Sequence, residues 1–235
     1  MNRGPSNDGV TLRHRYEQSI RYGREMAKIT LAMTKTTEEI EADPLLYDIV
    51  NTARDMAESE QNGAKYTLWY ENWQPVEEVP VPPLINIKLK QITIPVTNPL
   101  IILVGKLNLV AYDVIANRDG TFAVTTEIGF LELGNVFKAV LVPGEFCQDL
   151  LSGGDSLFAP GAWHNTDFPH PALVEIFGGD IHAFGLANDA VGYVVPDNDY
   201  ILGDFKNHYH EIISLGAQTG SAVVKGLMEL KEGLI

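Results

Sequence analysis

Residues 122–145 read FAVTTEIGFLELGNVFKAVLVPGE, and the fold turns on them. Two apolar runs, Phe122–Leu133 and Phe137–Val142, flank Gly134-Asn135, a pair suited to the tight turn between two strands. Asn117-Arg118-Asp119-Gly120, just ahead, is a second strong hairpin signal. Val142-Pro143-Gly144-Glu145-Phe146 closes the second strand, and Phe146, Leu150 and Leu151 predict a helix starting just after it.

Upstream, Ile87, Leu89, Ile92 and Ile94 alternate loosely with Lys88, Lys90 and Thr93, which predicts a strand from Asn86. Leu100 to Ala116 is apolar without a deciding period, so buried helix and buried strand both stand. Four prolines, Pro75, Pro80, Pro82 and Pro83, make 73–84 an extended connector. Before it, Tyr16, Ile20, Ala27 and Leu31 at helical spacing predict a helix from about Thr11 to Thr36. A second helical stretch, 37–60, is interrupted at Asp43-Pro44, and Asn62-Gly63 is a stop.

Downstream, Gly153–Pro171 is a Gly/Pro/Asn/Asp-rich loop of the length that tends to be functional or mobile. Ile181–Leu186 predicts a buried strand, and Thr219–Leu230 a last helix with Val223, Leu227 and Leu230 on one face. The sum is an α/β fold: a mixed β-sheet flanked by helices, part of a larger layered α/β domain. The expected organisation is a helical segment over 1–71, a Pro-rich connector over 72–85 and an α/β domain over 86–235.

The 235 residues carry 17 Lys and Arg against 31 Asp and Glu, a net charge of −14. That balance argues against phosphate-driven nucleic-acid binding, disfavours docking on anionic membranes, and leaves a metal cation or a neutral substrate. The longest apolar run, Leu100–Val104, is far too short to span a bilayer. Met1–Asp8 lacks the apolar core of a signal peptide, and any such signal would lie upstream, so the compartment stays open. Cys147 is the only cysteine, which rules out an internal disulfide framework and a Cys-rich zinc module.

Three places can carry chemistry. Glu145, after an apolar strand and Pro-Gly, sits where α/β sheets place their sites; the bland alternative puts it in the first turn of the next helix, favoured by the helix dipole. In Gly185–Tyr193, a strand runs into Asn188-Asp189 and then a Gly192-Tyr193 pair. Asn188 also serves as a turn residue and Tyr193 as a core aromatic. His208 and His210, at i and i+2, fall on one face of a strand at a spacing that suits zinc, or belong to a surface loop. His164 and His170 lie in the long loop, and His182 reads as a hydrogen-bonded core histidine. Cys147 has no identified base.

Taken in order, Glu127–Gly134 with Val136–Phe146, then Gly185–Pro196, then His208–Gly216 resemble the neutral/alkaline, non-lysosomal ceramidase family over about Thr121–Leu230. Asn98-Pro99-Leu100 and the helix around Gly23-Arg24 are weaker echoes. The resemblance implies a zinc-dependent amide hydrolase acting on an N-acyl sphingolipid or related amide, with zinc activating water and polarising the carbonyl. It implies Glu145 and Tyr193 as zinc ligands and catalytic residues, with Tyr193 also stabilising the oxyanion. His208 and His210 are candidate substitutes for missing ligands, and Asn188 is a candidate substrate contact. The family draws two histidine ligands from the first half of its catalytic domain, which this sequence lacks. The expected partner is therefore an N-terminal half on another chain, or a homo-oligomer. Two rivals remain: a complete hydrolase of a smaller amide, and a metal-free binding or structural module that keeps the fold without catalysis.

Overall fold

The computed structural model describes residues 9–44, 46, 79–203 and 208–233, divided between two units, Met1–Val79 and Pro80–Ile235. The expected helix over 47–60, the Asn62-Gly63 stop and the first half of the proline connector, 72–78, lie outside the described residues.

In the first unit, α1 (Gly9–Ala32) and α2 (Thr37–Ala42) match the expected helices. Thr36 and Glu39 form a reciprocal capping box that fixes the start of α2, satisfying two otherwise unpaired N–H groups. Of the apolar positions whose spacing predicts α1, Tyr16, Ile20 and Leu31 are exposed, whereas Ala32 is buried.

The second unit is α/β, with a mixed sheet. Strand β1 (Ile85–Val96) is followed by α3 (Pro99–Lys106), with Asn98 as its N-cap and Pro99 in its first turn, so the ambiguous run Leu100–Ala116 is helix at its start and a short strand at its end. A short β2 (Ile115–Ala116), the long β3 (Phe122–Leu133) and β4 (Phe137–Leu141) come next. The β3–β4 turn takes φ of +57° at Gly134 and +63° at Asn135, the conformation that the sequence pair accepts. Then come β5 (Glu145–Phe146), α4 (Gln148–Ser152), a 3₁₀ turn (Asp155–Leu157) and α5 (Leu173–Phe177). The chain finishes with β6 (Ile181–Phe184), β7 (Tyr193–Val194), α6 (Tyr209–Ile213) and α7 (Thr219–Glu232).

The main sheet runs β1-β3-β4-β6, with β2 also on β3. β1/β3 and β3/β4 are antiparallel and β4/β6 is parallel. A separate parallel bridge joins β5 to β7. Register decides the faces: Ile94 lies opposite Val124, and Val96 opposite Phe122. This face packs against α7, whose Val223, Val224, Leu227 and Leu230 join the core. Each such burial is worth about 1.5–3 kcal/mol.

The opposite face carries Ile85, Ile87 and Leu89 beside Leu133, Leu131 and Gly129. There Ile85 is 69% and Leu89 47% exposed, and Phe184 is exposed too. His182, expected in the core, is exposed on this side and stacks on Phe137 at 4.9 Å, because period-two alternation in β6 assigns the buried place to Ile181.

The long 153–171 loop is pinned. The Asn198 amide donates to the Ser156 and Thr166 carbonyls, the Asp167 carboxylate accepts from Ala159 N, and Leu157 and Phe168 are buried. Among the described residues no helix is long and apolar enough to cross a membrane.

Candidate active site

Glu145 and Tyr193 stand side by side because two glycines let their strands close up. After β4 the chain turns at Pro143-Gly144, and the turn is bracketed: Val191 N donates to Pro143 O at 2.8 Å and Leu186 N to Gly144 O at 3.0 Å. A Cβ on Gly144 would fall 2.2 Å from Gly192 O. Gly192 has φ +95°, and a Cβ there would fall 1.9 Å from Ile213 O. Neither position tolerates a side chain. The result is a bridge in which Glu145 pairs with Tyr193 and Phe146 with Val194, closed by Glu145 N to Gly192 O at 2.9 Å and Cys147 N to Val194 O at 3.1 Å. Glu145 thus precedes α4 and is outside its first turn, so the helix-dipole alternative does not describe it.

The same contact at Gly192 brings in α6. The Tyr193 ring meets the Tyr209 ring edge-on at 5.7 Å and the His210 ring at 4.6 Å. The Tyr193 phenol is pushed up to about 12, first by the hydrogen-bonding pull of the Glu145 carboxylate, then by desolvation, the Glu145 charge and Tyr209. A carboxylate acceptor favours the protonated phenol. At neutral pH the pair is therefore a protonated donor beside an exposed carboxyl group.

His208 and His210 do not act as a pair. The expected strand is a helix, α6, with His208 at its N-cap, and on a helix i and i+2 point to different sides. His208 Nδ1 lies 3.0 Å from Glu211 Oε1 and its ring meets Trp163, while His210 faces Tyr193. Asn188, at φ +69°, donates to Glu127 Oε1 at 3.1 Å and so is tied to β3. His164 Nε2 contacts Tyr200 O at 2.7 Å. Burial pushes the Cys147 thiol up, the wrong direction for a nucleophilic thiolate.

Tyr209 was not singled out by the sequence pattern. Its place follows from the Gly192–Ile213 approach and from Asn98, whose buried amide donates to the Glu211, Ile212 and Ser214 carbonyls.

Among the described residues no group of three His, Cys, Asp or Glu is placed to hold a metal ion. Glu145 and Tyr193 offer two oxygen donors, fewer than a zinc site takes from protein, so the described residues do not by themselves make a zinc shell. Comparison with family models, with curated proteins and with solved structures gave no match.

Proposed function

We propose that this chain supplies the carboxylate–phenol half of a ceramidase-like, zinc-dependent amide hydrolase. The observation that carries this is the in-register Glu145–Tyr193 bridge, reached in the order that the motifs resembling that family have in the sequence. In this reading Tyr193, protonated at neutral pH, donates to the amide carbonyl oxygen as charge develops there. Glu145 and Tyr193 would each offer the zinc one oxygen ligand. Zinc, when bound, would polarise the carbonyl and activate the attacking water. Its remaining ligands would come from a second polypeptide carrying the N-terminal half, or from another copy of this chain. The substrate class is an N-acyl sphingolipid or a related amide.

The test is zinc affinity of the full chain, by competition with a chromophoric chelator, in wild type, Glu145→Gln and Tyr193→Phe. Each variant is expected to weaken binding at least about tenfold, since each deletes a ligand. Unchanged affinity in both overturns the reading. The rival is the metal-free module. It predicts that both substitutions alter thermal stability alone.

A further inference from the structure

The face of the main sheet turned away from α7 is apolar over three adjacent rows. Cross-strand register puts Ile85, Leu133 and Phe137 in one row and Ile87, Leu131, Ala139 and His182 in the next. Leu89, Gly129, Leu141 and Phe184 make the third, and the run stops where Gln91 lies opposite Glu127. No Lys, Arg, Asp or Glu stands in these rows. The β1 lysines, Lys88 and Lys90, are on the α7 side instead, where they meet Gly233 O and the Glu229 carboxylate. On the apolar face Ile87 is 57% and Phe184 46% exposed, alongside the exposed Ile85 and Leu89. Sheets that contain parallel strands are commonly covered on both faces.

We propose that this face packs against the same face of a second copy of the chain, the two sheets stacked about a twofold axis. Area is the first argument. Ile85, Ile87, Leu89 and Phe184 leave on the order of 450 Å² uncovered, and the partly exposed leucines beside them raise one face to roughly 600 Å², a large patch for a monomer. Two such faces together bury about 1,200 Å², the lower edge of a specific interface. Shape is the second. Four strands about 4.8 Å apart make the face roughly 15 Å wide, more than the 10 Å or so of one helix, whereas another sheet covers it completely. Charge is the third. A chain of net charge −14 repels its own copy except across an uncharged patch, and a twofold contact needs only a patch that matches itself. A basic foreign partner would find no carboxylate here to pair with. An interface of this size gives weak pairing, so the monomer prevails in dilute solution with its outer face exposed. The proposal stands apart from the hydrolase reading, because Glu145 and Tyr193 lie off this sheet in the separate β5/β7 bridge.

The experiment is sedimentation velocity on the purified full chain, from low to high micromolar, at low and at high sodium chloride. The wild type is expected to pass from monomer to dimer as concentration rises. Salt should strengthen the pairing, because it screens the repulsion between two acidic copies. Ile87→Lys and Phe184→Lys, at exposed positions on opposite edges of the face, are each expected to weaken pairing at least about tenfold by placing like charges in a desolvated contact. Leu109→Lys, at an exposed position off the sheet, should pair like the wild type. An equimolar mixture of Ile87→Lys with Ile87→Glu should pair again, now more weakly at high salt, the reverse of the wild-type trend. That mixture also guards against misfolding, since an unfolded variant does not re-pair. A chain that stays monomeric at every concentration and salt overturns the proposal. So does a dimer that keeps its affinity in both Ile87→Lys and Phe184→Lys, or a mixture that fails to re-pair.

Discussion

Glu145 and Tyr193 are register partners in a parallel bridge two residues long, and each is immediately preceded by a glycine whose missing side chain permits the pairing. The site is thus built by backbone proximity, and its chemistry follows from one carboxylate facing one phenol. The consequences are measurable.

The phenol should report the carboxylate. In a spectrophotometric titration, Tyr193 is expected to ionise near pH 12, well after an ordinary tyrosine. Glu145→Gln removes the charge and the strongest acceptor, so the ionisation should move back toward about 10. A Tyr193 value unmoved by Glu145→Gln would mean that the two side chains do not communicate.

Tyr200 sets a limit at high pH. Burial, then the Glu211 charge, pushes it up to about 12. Because the folded value exceeds the unfolded one, its stabilising contribution is complete below about pH 10 and is lost as pH rises through about 12. Urea midpoints between pH 9 and 12 should fall for the wild type and fall less for Tyr200→Phe.

Gly192→Ala should be among the most damaging single-methyl additions. It meets both a φ of +95° and a carbonyl 1.9 Å away. A loss on the order of 3 kcal/mol or more is expected in chemical denaturation. The near-ultraviolet circular dichroism of the Tyr193–Tyr209 pair should be lost as well, because the displaced Ile213 carries α6 with it.

Two leucines on opposite sides of the sheet should behave differently. Leu227, fully buried in α7, is expected to cost about 2–5 kcal/mol when changed to Ala. Leu89, half exposed on β1, should cost well under that. Equal costs would mean that something covers the outer face in solution.

Much of the sheet was legible because its cues are local. Gly134-Asn135 turns where the pair allows, and α7 buries the expected Val223, Leu227 and Leu230 stripe. Less was legible where tertiary contacts decide. α3 has one buried residue, Ile101, with Leu100 and Leu103 exposed, so its apolar run had no period to read. α6 has only five residues, too few to show a helical period, which is why His208 and His210 read as strand neighbours. Glu145 and Tyr193 were visible as residues before and after turns. Their companion Tyr209 was not, because the approach of Ile213 to Gly192 and the Asn98 amide bring α6 there.

Asn98 gives this region its dynamic unity. Its side chain holds three carbonyls of the 211–214 segment while accepting from Leu100 N, and the backbone N–H groups of Thr97 and Asn98 both donate to Leu215 O. The end of β1, the start of α3 and the tail of α6 therefore cannot fray separately without stranding buried polar groups. In hydrogen–deuterium exchange, the amides of Thr97, Asn98 and Leu100 should open together as one cooperative unit. Asn98→Ala should split that unit, releasing Tyr209 and His210 from Tyr193 while the β3–β4 hairpin stays protected.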